Sequence, residues 1–277
     1  MSILSFNKKN PFSLILKAPL CIIEKLDRFL FFDKNFYCVR WWMVNIFFYF
    51  IARILCLREA EHQIGRLLNM KNLFETIKQK NEVRNVLITE FGVYKGFSLL
   101  WLTRYRDRYL PGAEIVAVDS FEGLPESSTI WKKGSFSDTS YESVVKTLER
   151  FTHVSDILNH NKNIKIIKGK FSEQQVSAAL EDALHPAGES PDKFMLIAHI
   201  DCDLGSSATE ALGALDKAGA FKTKKFFLLF DDWYNHPDEI PKAFEEFISV
   251  RSNWKVKEIF STKLTRYFEV YVTDDVR

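Results

Sequence analysis

From about residue 83 onward the chain alternates short apolar runs with longer segments in which apolar residues recur every three or four positions. The runs are rich in Val, Ile, Leu and Phe with few polar interruptions, the pattern of strands buried on both faces. They cover Asn85–Glu90, Glu114–Asp119, Ile164–Lys168, Phe194–Ile200 and Lys225–Phe230. Helical spacing follows each of them, over Ser98–Arg108, Tyr141–Asn159, Glu173–Leu184, Ala208–Ala218 and Ile240–Val250. Strand–helix alternation predicts an α/β fold: a Rossmann-like, doubly wound, mainly parallel sheet. Two further β-like runs, Lys255–Phe260 and Arg266–Val272, have no helix between them and predict an antiparallel hairpin closing one edge.

Residues 1–80 carry a different pattern. Apolar positions recur at helical spacing (Leu26, Phe29, Leu30; Ile64, Leu67, Leu68), with Pro11 and Pro19 as early breaks. Two parts are therefore expected, a helical segment over 1–80 and a catalytic domain over 81–277. Within Asn35–Leu57 the longest uncharged stretch, Trp41 to Ala52, is 12 residues. A bilayer span needs about 20. A helix docking on the main domain, a membrane-surface helix using Trp41, Trp42 and Tyr49, and an oligomer contact are the readings that remain.

Strand ends carry the candidate chemistry, because parallel sheets bind ligands at the carboxyl ends of their strands. After the first strand comes Glu90-Phe91-Gly92-Val93-Tyr94-Lys95-Gly96-Phe97-Ser98, where two glycines permit a tight turn and close approach to a ligand. Asp119 ends the second strand, 23 residues after Gly96. A carboxylate there suits the hydroxyls of a ribose. The spacing E-x-G-x-x-x-G differs from the G-x-G-x-x-G that admits a pyrophosphate, and an acid near the turn would repel one. S-adenosylmethionine, with an ammonium and a sulfonium and no phosphate, fits better than a dinucleotide.

A second constellation lies further on. Asp201 and Asp203 follow the fourth strand, and Asp231 and Asp232 follow the fifth. Carboxylates converging at adjacent strand ends need a cation to stay ionised, and Mg²⁺ is the hard, oxygen-seeking choice. The other reading makes them caps of turns and helix starts. His199, two residues before Asp201, reads either as a hydrogen-bonded structural histidine or as a catalytic group, and His236 as a loop residue near substrate.

Composition narrows the classes. A net charge of +2 gives no electrostatic footprint for nucleic acid. Four cysteines without metal spacing read as free thiols of a reducing, cytoplasmic compartment. No G-x-S-x-G elbow supports a serine nucleophile.

Together, Glu90 to Gly96, the string Asp119-Ser120-Phe121-Glu122-Gly123-Leu124-Pro125, Ile200-Asp201-Cys202-Asp203-Leu204 with Ser206-Ser207, and Phe230-Asp231-Asp232-Trp233 resemble the macrocin O-methyltransferase (TylF/MycF) family. The likeness covers about residues 84–250 and is most specific in D-S-F-E-G-L-P. It implies a class I S-adenosylmethionine-dependent methyltransferase acting on a sugar hydroxyl, with Mg²⁺ or another divalent cation held by three acids. By position, Glu90, Gly92 and Gly96, with Tyr94 and Ser98 in the same turn, would cradle the methionine end. Asp119 would hold the ribose, Ser120 and Phe121 would border the adenosine, and Gly169 and Phe171 would line the adenine. Asp201, Asp231 and Asp232 would be the metal ligands, with Asp203 the alternative to Asp201 as the first of them. Asp201 would also touch the cofactor and act as base, with His199 the other catalytic candidate. Gly205 departs from the aromatic expected after D-x-D-L. The acceptor is expected to be a glycan or other small molecule, chosen by the loop Pro125–Thr139. A phenol or amine acceptor, an NAD(P)-dependent oxidoreductase on a similar sheet, and a catalytically silent scaffold docking through residues 1–60 are the alternatives.

Overall fold

A computed structural model describes residues 58–80, 85–152, 163–184, 194–233, 239–262 and 264–273. The chain divides into two compact units, Met1–Ile64 and Gly65–Arg277, and the second holds the whole sheet. Expectations for Asn35–Leu57, for Cys21, Cys38 and Cys56, for residues 153–159 and for His236 fall outside the described residues.

In chain order the elements are α1 (Arg58–Lys80), β1 (Asn85–Phe91), α2 (Phe97–Tyr109), β2 (Glu114–Asp119), α3 (Tyr141–Thr152), β3 (Ile164–Lys168) and α4 (Gln174–Leu184). There follow β4 (Phe194–Ile200), α5 (Gly205–Lys217), a 3₁₀ turn (Ala220–Lys222), β5 (Lys225–Phe230), α6 (Ile240–Ser249), β6 (Trp254–Ser261) and β7 (Arg266–Val272). The seven strands form one sheet in the order β3-β2-β1-β4-β5-β7-β6. Pairing is parallel from β3 through β5, and β7 runs antiparallel to both β5 and β6. The fold is the Rossmann-like one expected, with the hairpin closing an edge.

The strand order reverses at β1 and β4, where one half of the sheet is laid down toward β3 and the other toward β6. Crevices for ligands form at the carboxyl ends of such a pair. Both strands are buried on both faces along nearly their whole length, as a central parallel position requires.

Side chains alternate between the faces. On one face, Leu87, Phe91, Leu196, Ala198, Ile200, Leu228 and Phe230 pack with Leu180 of α4, Leu212 of α5 and Phe244 of α6. The opposite face carries Ile88, Glu90, Ile197, His199 and Leu229. Helix α1 is held on that side by two phenols, Tyr267 donating to the Arg66 carbonyl at 3.2 Å and Tyr105 to the Leu67 carbonyl at 3.1 Å. Its buried stripe runs Arg66, Met70, Leu73, Phe74, Ile77, the spacing of one helix face.

Helix α5 starts at Gly205, three residues before the expected Ala208. The reason is tertiary. A Cβ at Gly205 would lie 2.8 Å from the Glu239 carbonyl carbon, and its amide donates to the Glu239 carboxylate at 3.0 Å. Only glycine fits that first turn against the entry to α6, so the residue standing in place of an aromatic has a packing cause. Among the described residues, no helix is long and apolar enough to cross a membrane.

Candidate active site

The turn after β1 is shaped by contacts that its sequence dictates. Gly92 has φ +89°, and a Cβ there would sit 1.8 Å from the Asp201 carbonyl oxygen. Glycine alone lets the ends of β1 and β4 meet this closely. Gly96, at φ +77°, caps α2, with Val144 3.0 Å from where its Cβ would be. Between them Tyr94 adopts φ +50°. Its hydroxyl donates to Asp138 at 2.8 Å, and its carbonyl accepts from Thr139 at 2.6 Å.

Asp119 organises this turn from the neighbouring strand. Its Oδ2 accepts the amides of Val93 and Tyr94, both at 2.8 Å, and its Oδ1 accepts the amide of Phe121 at 2.6 Å. The carboxylate expected to face a ribose is thus first a staple of the β1–α2 turn, using three of about four lone-pair positions. Ser120 accepts from the amide of Glu122, and Phe121, at φ +57°, packs edge-on against Tyr141. At the end of β3 the Gly169 amide donates to the Asp119 carbonyl at 2.9 Å, and Phe171 stands edge-on against Phe91. Gly92, Asp119, Ser120, Phe121, Gly169 and Phe171 therefore lie at three successive strand ends.

Glu90 lies deeper than expected. It is in register with His199 on β4, both are fully buried, and Oε1 of Glu90 is 3.1 Å from His199 Nδ1. Burial raises its pKa, while hydrogen bonds from His199 and Ser98 pull the other way. His199 is likewise a member of the sheet interior, linked to Glu90 through one ring nitrogen.

The four aspartates do converge. Asp201 continues β4, its amide bonded to the Phe91 carbonyl, and Asp231 continues β5, its amide bonded to the Ile200 carbonyl, both at 2.9 Å. Asp203 and Asp232 follow in left-handed backbone, at φ +60° and +57°. Burial and the charge of Asp201 push Asp203 up to about 7, with the Trp131 indole and Asp232 acting against that rise. Burial, then the charges of Asp203 and Asp201, hold Asp232 well above the carboxylate range. Ligand atoms of His199, Asp201 and Asp231 lie within 4.8 Å of one another.

Arg66 of α1 joins the acids from outside every motif. Its guanidinium bonds Asp201 Oδ2 at 3.1 Å and also contacts Asp231 Oδ2. Thr265 donates to the other Asp231 oxygen at 2.9 Å. The sequence did carry a signal, since Arg66 is the one charged member of an apolar stripe at helical spacing.

The loop after β2 folds back over this region. Gly123, at φ +80°, leaves no room for a Cβ, which would be 2.5 Å from the Ser135 carbonyl oxygen. Trp131, Phe136 and Tyr94 form an edge-to-face aromatic chain with centroids 4.8 and 5.2 Å apart, and Ser206 donates to Glu126. The loop expected to choose the acceptor therefore borders both Asp203 and the β1–α2 turn.

No protein-family model and no curated protein matches this sequence. Among solved structures, it is similar to CalS11, a calicheamicin methyltransferase, at 20% identity and a TM-score of 0.54 over 74% of this chain and 79% of that one. It is also similar to the O-methyltransferase NovP, at 21% identity and a TM-score of 0.52 over 76% and 81%. Likenesses at this identity establish a shared fold.

Proposed function

We propose that the chain is an S-adenosylmethionine-dependent O-methyltransferase acting on a hydroxyl of a sugar or glycosylated acceptor, assisted by a divalent cation. The observation that carries this reading is the meeting of the glycine turn of β1 with the Asp201 end of β4, at the reversal of strand order. The fold shared with two methyltransferases supports the same class.

The residues fit the cofactor. Gly92 and Gly96 leave the turn open to close approach, and Asp119 keeps one acceptor position for a ribose hydroxyl. Phe121 and Phe171 offer apolar edges beside it. The acids fit a hard cation as well: the guanidinium of Arg66 reaches Asp201 and Asp231, while burial and then the neighbouring carboxylates raise the pKa values of Asp203 and Asp232. Asp201 and Asp232, with Asp203 beside them, would hold the ion; both Asp231 oxygens are already engaged by Arg66 and Thr265. Such an ion supplies Lewis acidity that lowers the pKa of an acceptor hydroxyl.

The chain's own residues do the rest. Methyl transfer is an in-line displacement, so the acceptor oxygen must be held opposite the leaving sulfur. The half-buried Asp201 takes the proton from that oxygen as it attacks. His199, buried and bound to Glu90, fixes the strand from which Asp201 projects and acts as a positioning residue. Trp131, beside Asp203, would border the acceptor. A contact of residues 1–57 with a membrane surface or a second copy belongs to this proposal too, as does a cytoplasmic location.

Asp201→Asn tests the assignment. It should retain S-adenosylmethionine binding and lose methyl transfer by about a hundredfold or more. Chelation should abolish wild-type activity and Mg²⁺ restore it. Full activity after exhaustive chelation would leave the acids as structural caps.

A further inference from the structure

The position between His199, Asp201 and Asp231 has the dimensions of a metal seat, with ligand atoms within 4.8 Å of one another. In this chain a side chain fills it. Arg66 is 5% exposed, and its guanidinium reaches Asp201 and Asp231 together. Two phenols fix the backbone that carries it, through the carbonyls of Arg66 and Leu67. A guanidinium is planar, permanently charged and able to serve two carboxylates at once, which a lysine ammonium does less well. His199 uses Nδ1 on Glu90, and its buried Nε2 has no hydrogen-bond partner among the described residues. A ring nitrogen, two carboxylate oxygens and one resident cation thus share a single small space.

We infer that Arg66 is the resident counter-ion of this seat and excludes a divalent ion from it, so that Asp231 is a structural partner of Arg66 rather than a metal ligand. A divalent ion then has Asp201 and Asp232 left to it, with Asp203, which interacts with both, beside them. This deepens the proposed function and rests on its metal reading only for where the ion goes. Removing the guanidinium should open a His–Asp–Asp site that the wild-type chain does not offer. Buried carboxylates that lose their cation attract another, and a borderline ion accepts imidazole as well as oxygen.

Mn²⁺ is the probe, followed by electron paramagnetic resonance in wild type, Arg66→Ser and Arg66→Lys. Bound Mn²⁺ in wild type should show no nitrogen coupling. Arg66→Ser should bind at least about tenfold more tightly, with a ¹⁴N coupling that His199→Gln removes in the double variant. If Arg66→Ser is poorly folded, millimolar Mn²⁺ should raise its thermal midpoint by about 5 °C or more while moving wild type by less than half as much. Arg66→Lys keeps a cation in place and should stay free of nitrogen coupling. Equal affinity in wild type and Arg66→Ser, a nitrogen ligand already present in wild type or in Arg66→Lys, or no Mn²⁺ stabilisation of a weakened Arg66→Ser would each overturn the inference while leaving the metal reading standing. Absence of Mn²⁺ binding in all three would overturn both.

Discussion

Glu90 and His199 face each other across β1 and β4 with no access to water, and that burial raises the Glu90 pKa. A carboxyl group whose folded pKa lies above its unfolded value of about 4.3 favours the native state most at low pH. Its contribution is present below that unfolded value and is lost as pH rises through the folded one. Urea melts of wild type and Glu90→Gln between pH 4 and 8 should therefore diverge, wild type losing stability relative to the variant as pH rises. Parallel curves would mean that Glu90 stays ionised beside His199 throughout. At this scale the sequence was an uneven guide. It located the acids at the strand ends, because carboxylates after apolar runs can only sit there. It did not reveal that Glu90 points into the sheet interior, that Asp119 staples the β1–α2 turn, or that Arg66 joins the acids. Each of those depends on a partner 25 to 135 positions away.

Between elements, the decisive contacts are backbone against backbone. Gly92 lets β1 meet β4, and Gly205 lets α5 begin beneath the entry to α6. Gly92→Ala should push the two strand ends apart, weakening S-adenosylmethionine binding about tenfold or more and lowering stability by more than 1 kcal/mol. Gly213, in the middle of α5, has nothing within 4 Å of its Cβ position. Gly213→Ala should stabilise the protein by about 0.4–1 kcal/mol. Equal effects in chemical denaturation would remove the special standing of Gly92. The five parallel strands were legible from apolar runs, since buried parallel strands leave few polar interruptions, and the closing hairpin followed from two runs without a helix between them. The start of α5 was not, because Gly205, Ser206 and Ser207 have weak helix propensity and the first turn is set by Glu239.

For the molecule as a whole, the short uncharged stretch Trp41 to Ala52 sets the expectation for residues 1–57. Peripheral attachment, if cells contain it, should yield to high salt or carbonate; a need for detergent would make this segment an anchor. The central claim concerns the larger unit, where the ends of β1, β2 and β3 carry the residues proposed to hold S-adenosylmethionine. Titration calorimetry of the purified full chain with S-adenosylmethionine and with its demethylated product tests it most directly. Both should bind saturably at one site per chain, and Asp119→Ala should weaken them by about 2 kcal/mol or more through a lost ribose hydrogen bond and a loosened turn. Saturable binding of NAD(P) with no heat from S-adenosylmethionine would contradict the account.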